Sequence, residues 1–199
     1  MPDYSFESEA KQKGYKFICG VDEAGRGPLA GPVCAAAVIL PENCDIPGLN
    51  DSKKLTEKKR EVLFDIIKEK AVAYSIAFGT VDEIEQFNIL NATFLAMNRA
   101  IEGLNTNADF ALIDGNRVPT NIKIPCETVV KGDSKSMSVA AASILAKVTR
   151  DRLLLEYDQQ YPQYGFKNHK GYGTRAHYDA IAEYGITEIH RKSFLKGVI

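Results

Sequence analysis

The sequence lacks the features that mark membrane proteins and disulfide-stabilised proteins. Its four cysteines, at positions 19, 34, 44 and 126, form no C-x-x-C pair and have no histidine at ligand spacing, so no zinc site or disulfide framework is predicted. The longest apolar run, residues 33–40, is far too short to span a bilayer. Residues 1–16 are polar and lack the apolar core of a signal peptide. We therefore expect a cytoplasmic protein that makes no membrane contact.

Net charge is also nearly absent. The 25 Lys and Arg residues almost balance the 26 Asp and Glu residues, leaving a formal charge of −1 on 199 residues. This balance argues against a surface coated in basic residues for bulk nucleic-acid binding, and alone it would favour a small-molecule enzyme. The charges are unevenly placed, however. Residues 53–60 and the C-terminal fifth are basic, whereas residues 82–85 are mostly acidic.

Hydrophobic periodicity predicts alternating strands and helices without a linker, and hence a single domain over residues 1–199. Strands are predicted at 17–22, 33–40, 72–78, 110–114 and 128–130, and helices at 56–70, 88–104, from Ser136 or Ser138 to about 155, and 174–184. The first two strands should be antiparallel neighbours, because residues 25–32 are too few for a crossover helix. The pattern indicates a mixed α/β fold around one central sheet, with a flexible or peripheral segment at 1–16.

Acidic residues follow three of the predicted strands. Asp22 and Glu23 end the first, Asp114 ends the fourth and Asp133 closely follows the fifth. Ligand sites gather at strand ends in α/β sheets, and clustered carboxylates favour a hard divalent cation such as Mg²⁺ or Mn²⁺. Glu23 should join the site only if it lies beyond the regular strand, because adjacent strand residues face opposite ways. The alternative is that these acids are solvated loop residues or helix caps.

A glycine-rich loop follows the first pair of acids. Its spacing is G-x-G-x-x-x-G, Pro28 removes a backbone amide, and no P-loop occurs in the chain, so nucleotide-binding motifs are excluded. Gly25 and Gly27 flank Arg26, which predicts a tight loop whose backbone can approach a ligand closely. The alternative is a turn that simply needs unusual dihedral angles.

Seven short blocks carry a resemblance to one family. They are GVDEAGRGPLAG at 20–31, DSKKL at 51–55, LIDG at 112–115, KGD at 131–133, AASILAKVTRD at 141–151, HKGYGT at 169–174 and HRKSF at 190–194. Together they resemble ribonuclease HII over residues 17–194. The resemblance implies a ribonuclease H-like fold, a central mixed β-sheet flanked by helices. It also implies an endonuclease that acts on RNA paired to DNA and on single ribonucleotides in duplex DNA.

The resemblance also implies roles for particular residues. The catalytic and metal-binding acids of the family fall on Asp22, Glu23, Asp114 and Asp133. The loop Gly25, Arg26 and Gly27 would contact the ribose 2′-hydroxyl and the adjacent phosphate, and Tyr172 would pack on the next sugar. Asp151, between Arg150 and Arg152, is instead interpreted as part of a helix-surface ion pair. From charge placement alone, Lys53, Lys54 and Lys170 are candidates for contacts to substrate phosphates.

The expected mechanism is metal-assisted hydrolysis with Mn²⁺ or Mg²⁺, with two ions during catalysis, because no Ser-His-Asp or Cys-His arrangement is visible. By the same resemblance, cleavage falls 5′ to the ribonucleotide and leaves a 3′-hydroxyl and a 5′-phosphate. Two alternatives stay open, a nuclease similar to ribonuclease HIII and a non-catalytic nucleic-acid-binding module. We expect a monomer, and no sliding-clamp peptide is visible in the sequence.

Overall fold

Five strands form one mixed sheet in a computed structural model that describes residues 1–197. They are β1 (Ile18–Ala24), β2 (Val33–Ile39), β3 (Ala73–Gly79), β4 (Phe110–Asp114) and β5 (Cys126–Val129), in the order β3-β2-β1-β4-β5. β2 is antiparallel to β1 and β3, while β1, β4 and β5 are parallel. The predicted antiparallel pairing of the first two strands is confirmed. The last two residues of the predicted domain, 198 and 199, lie outside the described part.

Six α-helices accompany the sheet within residues 1–197. They are α1 (Ser5–Gln12), α2 (Glu57–Lys70), α3 (Val81–Glu102), α4 (Met137–Gln160), α5 (Phe166–His169) and α6 (Arg175–Tyr184). None of them is both long enough and apolar enough to cross a bilayer. The helix prediction was wrong at three places. A capping box at Thr80 starts α3 before the predicted residue, Asn88, which is instead a kink with φ of 68°. In addition, the sequence pattern predicted no helix at α5, within residues 161–173, and none at α1, within residues 1–16.

The two faces of the sheet are covered by different helices. α3 packs on one face, against alternate residues of β1 such as Cys19 and Val21. α4 covers the other face, and its first turns carry the small residues Ala140, Ala141 and Ala142, all fully buried. Those small side chains allow α4 to come so close that a Cβ on Gly20 would stand 2.1 Å from the backbone carbon of Ser138. The glycine and the alanines therefore fix where α4 begins relative to β1.

The N-terminal segment is attached to the start of α4. Its helix α1 carries a buried acid, Glu7, whose Oε1 accepts hydrogen bonds from Ser136 Oγ (2.7 Å), Ser138 N (2.9 Å) and Ser138 Oγ (2.6 Å). Of the two serines considered as caps for this helix, Ser136 occupies the N-cap position. The segment expected to be flexible or peripheral thus supports the chain immediately after Asp133.

Candidate active site

Three of the predicted acids lie at one edge of the sheet. The pairing of Val21 with Ile113 puts Asp22 beside Asp114, at the carboxyl ends of the parallel strands β1 and β4. Asp133 lies in a short 3-10 helix that follows β5, and the amide of its neighbour Gly132 donates to Asp114 Oδ1 at 2.7 Å. Asp22 and Asp133 are only 5% and 6% exposed. The three carboxylates come together because β1, β4 and β5 are neighbours in the sheet.

Glu23 joins the same edge by a different route from the one expected. It does not leave the strand, because β1 continues to Ala24 and Glu23 pairs with Ala35. However, β4 ends at Asp114, so no residue of that strand lies beside Glu23. Burial raises the pKa of Glu23, Arg26 opposes this shift and the Asp114 carboxylate adds to it. The prediction that Glu23 joins the site only if it lies beyond the regular strand was therefore wrong. Because β1 extends past the end of β4, Glu23 can belong to the strand and still have no β4 residue beside it.

The electrostatics of this edge are those of crowded carboxylates. Burial, together with the charges of Glu23 and Asp114, raises the pKa of Asp22 well above its usual value. Burial and Asp114 likewise raise the pKa of Asp133. Lys53 places its Nζ 3.7 Å from Asp133 Oδ2, with most of its side chain exposed. Cations are favoured here, because like charges held out of water cost free energy unless they are compensated.

The donor set suits a hard divalent cation. Every candidate ligand is a carboxylate, which is the donor that Mg²⁺ and Mn²⁺ prefer, and three of the four carboxylates have a raised pKa. Within residues 1–197, no three His, Cys, Asp or Glu side chains form a ready-made metal cage. The fit therefore rests on the chemistry of the acids and on their shared edge.

A cleft of about 660 Å³ joins the acids to the glycine loop. Asp22, Glu23 and Lys53 line it together with the loop Gly25, Arg26 and Gly27, and with Tyr172. Tyr172 is 44% exposed, and its Cε1 lies 3.6 Å from the position that a Cβ on Gly27 would take. Gly25 adopts a φ of +97°, which a side chain would disfavour. The structure thus brings together the loop and the tyrosine, which lie about 150 positions apart in the sequence.

The other two candidate lysines lie elsewhere. Lys54 is exposed on the 3-10 helix that carries Lys53, but it does not line the cleft. Lys170 adopts a left-handed conformation, with φ of 50°, and its Nζ donates to the carbonyl of Lys167 at 2.5 Å. Only Lys53 of the three therefore stands next to the acids.

Sequence reasoning missed several residues around the cleft and misjudged one. Ser143 lines it and shares a hydrogen bond of 2.9 Å with Ser52, and Lys147 lines it one turn further along α4. Asp151 is not on the helix surface. It is buried, and it pairs with Lys147 at 2.8 Å and with Arg60 at 3.9 Å rather than with its sequence neighbours. The one available signal was the i, i+4 spacing from Lys147 to Asp151.

A chain of hydrogen bonds between buried histidines supports the Tyr172 loop. His177 Nδ1 lies 3.0 Å from the carbonyl oxygen of Tyr172 and must donate to it, so its Nε2 accepts. His190 Nε2, at 3.2 Å, then donates to His177, and His190 Nδ1 accepts from the amide of Thr187 at 3.0 Å. This assignment needs both rings to be neutral. Burial lowers the pKa of each of them to about 4.

We expect this histidine pair to make the folded state sensitive to acid. Because the unfolded chain binds protons near pH 6.5 and the folded pair only near pH 4, the stability due to the pair is complete above pH 6.5 and is lost as the pH falls towards 4. The loss at pH 5 should be about 2 kcal/mol per histidine at most. Denaturant unfolding of the wild type and of His190→Gln, which keeps a donor for His177, checks this. A variant with an unchanged pH profile would contradict it.

The fold and the acid edge together define a class. A five-stranded mixed sheet with carboxylates at the ends of its first and fourth strands and before its long helix α4 is the architecture of a ribonuclease H-like protein. Among solved structures, ribonuclease H2 from Pyrococcus horikoshii OT3 is similar, with a TM-score of 0.77 and 27% identity, over 92% of this chain and 97% of that one.

Comparisons of the sequence identify the particular family. The sequence model of the family described as Ribonuclease HII matches residues 19–196. Ribonuclease HII of Clostridioides difficile strain 630 is 57% identical over 194 residues, which are 98% of this chain and 76% of the relative. The chain belongs to the ribonuclease HII family and is a ribonuclease H endonuclease. A more distant structure, that of Bst-RNase HIII in complex with Mn²⁺, shares the fold with a TM-score of 0.65 and 19% identity, over 93% of this chain and 66% of that one.

Proposed function

We propose that the chain hydrolyses the RNA strand of RNA–DNA hybrids and cuts 5′ to single ribonucleotides in duplex DNA. The observation that carries the proposal is the shared cleft, in which Asp22 and Glu23 of the carboxylate edge lie next to the glycine loop and Tyr172. One side of this cleft can hold cations and the other can contact a sugar and its phosphate. A nucleic-acid strand that crosses both sides of the cleft would present one phosphodiester to the acids.

The four carboxylates are the proposed ligands for Mg²⁺ or Mn²⁺. When bound, two such ions would supply a hydroxide-like nucleophile and neutralise the charge that develops on the phosphate. Mn²⁺ is named for the ribonuclease HIII structure that shares this fold. Asp22, Glu23, Asp114 and Asp133 would hold the ions, and the hydrogen bond from Gly132 keeps Asp114 oriented towards the edge. Products would carry a 3′-hydroxyl and a 5′-phosphate.

The other side of the cleft would recognise the substrate. The loop Gly25, Arg26 and Gly27 would contact the ribose 2′-hydroxyl and its phosphate, and the exposed ring of Tyr172 would pack on the following sugar. Lys53 would contact a phosphate near the acids, while Lys54 and Lys170 would contact the duplex further away. A monomer suits a rigid duplex, and the sequence shows no sliding-clamp peptide.

The experiment that tests this function uses a duplex with one ribonucleotide and an all-DNA duplex of the same sequence. We expect Mg²⁺ or Mn²⁺ to support cleavage of the first and not of the second, and a chelator to abolish it. Failure to cut with any divalent ion, together with retained binding, would favour the non-catalytic binding module. Cleavage of the all-DNA duplex at a similar rate would reject the proposed ribonucleotide recognition.

A further inference from the structure

Two buried arginines lie beneath the glycine loop. Arg191, which follows α6, is fully buried and donates to three carbonyl oxygens of the loop: that of Gly31 from Nε (2.8 Å), that of Arg26 from Nη1 (3.0 Å) and that of Gly25 from Nη2 (2.6 Å). All three nitrogen atoms of its guanidinium thus donate to carbonyls of one loop. This is the fixed fork geometry that a lysine cannot reproduce.

Arg150 of α4 holds the far end of the same loop. It is 1% exposed and donates to the carbonyls of Pro32 from Nε, Ala30 from Nη2 and Lys170 from Nη1, each at 3.0 Å. The third of these bonds ties the loop to the segment that carries Tyr172. A Cβ on Gly25 would stand 1.9 Å from Arg150 Nε, so the glycine is also what lets the loop lie against this side chain.

Neither arginine has an acidic partner within residues 1–197. Asp151, the nearest acid in sequence, pairs with Lys147 and Arg60 instead. Their hydrogen bonds all go to backbone carbonyls, and the Arg191 guanidinium also lies 5.2 Å from the ring centroid of Phe194. Two buried cations without an acidic partner are costly to the fold, and burial together with Arg150 lowers the pKa of Arg191 to about 9. Apolar side chains in their place would leave these carbonyls without donors, so the two arginines give each carbonyl a fixed direction.

The carbonyl contacts determine where the loop amides point. All peptide bonds in the described residues are trans, so the C=O and the N–H of each peptide point in opposite directions. Because the carbonyls of Gly25 and Arg26 point inwards to Arg191, the amides of Arg26 and Gly27 point away from it. Neither amide has a hydrogen-bond partner in the described part of the chain, and both residues line the cleft.

We propose that Arg191 and Arg150 are positioning residues that hold the loop carbonyls inwards, so that the amides of Arg26 and Gly27 are presented to the ribonucleotide. This inference rests on the proposed function of the loop. It assigns the preference for a ribonucleotide over a deoxyribonucleotide to two side chains that never touch the substrate. The fixed amides donate to an oxygen acceptor without having to be reorganised on binding.

The test compares Arg191→Lys and Arg150→Lys with the matched control Arg152→Lys. Arg152 lies two positions from Arg150 on α4, pairs with Glu61 and does not contact the loop. Affinities for the one-ribonucleotide duplex and the all-DNA duplex are measured on one preparation without added divalent ion. Their ratio does not depend on the folded fraction, so a partly unfolded variant still gives a valid result.

We expect the wild type and Arg152→Lys to prefer the ribonucleotide duplex by roughly tenfold or more, in line with one or two hydrogen bonds. Arg191→Lys should reduce this ratio to near 1, Arg150→Lys should reduce it in part, and affinity for all-DNA duplex should stay within twofold. An unchanged ratio in Arg191→Lys would overturn the proposal, as would a wild type without preference. If the wild type prefers the ribonucleotide duplex but does not cleave it with Mg²⁺, the proposed function fails and the positioning role stands.

Discussion

Replacing Asp22 with Asn is expected to reduce cleavage about a thousandfold or more at saturating Mg²⁺. Asp22 is the most deeply buried of the four acids, and the charges of Glu23 and Asp114 both act on it. An amide keeps the size of the side chain but removes its charge, and with it most of the affinity for a hard cation. A loss of roughly 4 kcal/mol in transition-state stabilisation corresponds to this factor. Steady-state cleavage of the one-ribonucleotide duplex measures it.

The same substitution should leave the fold as stable as before or more stable. The raised pKa of Asp22 means that its ionised form is disfavoured in the folded state, so its contribution to stability is present below the ordinary pKa near 3.8 and is lost as the pH rises through the folded value. At pH 7 the variant has no ionised carboxylate at this position, so the free-energy cost of burying that charge is removed. Asp65→Asn, an exposed position on α2, serves as the control for both measurements. Near-normal turnover by Asp22→Asn, or a marked loss of stability, would contradict the assignment.

Replacing Gly20 with Ala is expected to lower the unfolding free energy by about 3 kcal/mol or more, which is a fall of roughly 6–12 °C in the melting temperature. The new Cβ would lie 2.1 Å from the backbone carbon of Ser138 and 2.2 Å from the amide nitrogen of Val139. Backbone atoms of a helix cannot rotate aside as a side chain can, so α4 must move away from β1. Because α4 begins just after Asp133, activity should fall as well.

Gly48→Ala provides the comparison. Gly48 has a φ of +81° and no neighbouring atom within 4 Å of an added Cβ, so its replacement measures backbone strain alone, about 1–2 kcal/mol. Gly20 has no positive φ, so the loss of stability on its replacement would come only from contact between the new Cβ and the backbone of α4. Thermal unfolding of both variants distinguishes the two effects. A Gly20→Ala protein as stable as Gly48→Ala would show that α4 does not pack as closely on β1 as described.

The strands and the long helices could be predicted from the sequence because their hydrophobic patterns are local. The pairing of β1 with β2 followed from loop length, and the acids at strand ends followed from where each apolar run stops. Glu23 was harder, because its place in the site depends on β4 ending two residues before β1 on that side. Strand length relative to a neighbour is a tertiary property that no local pattern shows.

The network beneath the glycine loop could not be derived from periodicity. Arg150 and Arg191 lie 41 positions apart and meet only because α4 and the segment after α6 reach the same loop. A charged residue on a helix normally faces solvent, and for that reason the sequence places Asp151, between Arg150 and Arg152, in a surface ion pair. Asp151 was misjudged for the same reason, since its burial depends on Arg60 of α2. Buried polar groups are set by long-range packing, and their partners appear only in three dimensions.

The most direct measurement of the central claim is the identity of the ends produced from a duplex with one ribonucleotide. Metal-assisted hydrolysis by the acid edge predicts a single cut on the 5′ side of the ribonucleotide, with a 3′-hydroxyl on the upstream fragment and a 5′-phosphate on the ribonucleotide. In that reaction the 2′-hydroxyl is recognised but does not attack. A 2′,3′-cyclic phosphate, formed by attack of the 2′-hydroxyl on the 3′ side, would contradict the account.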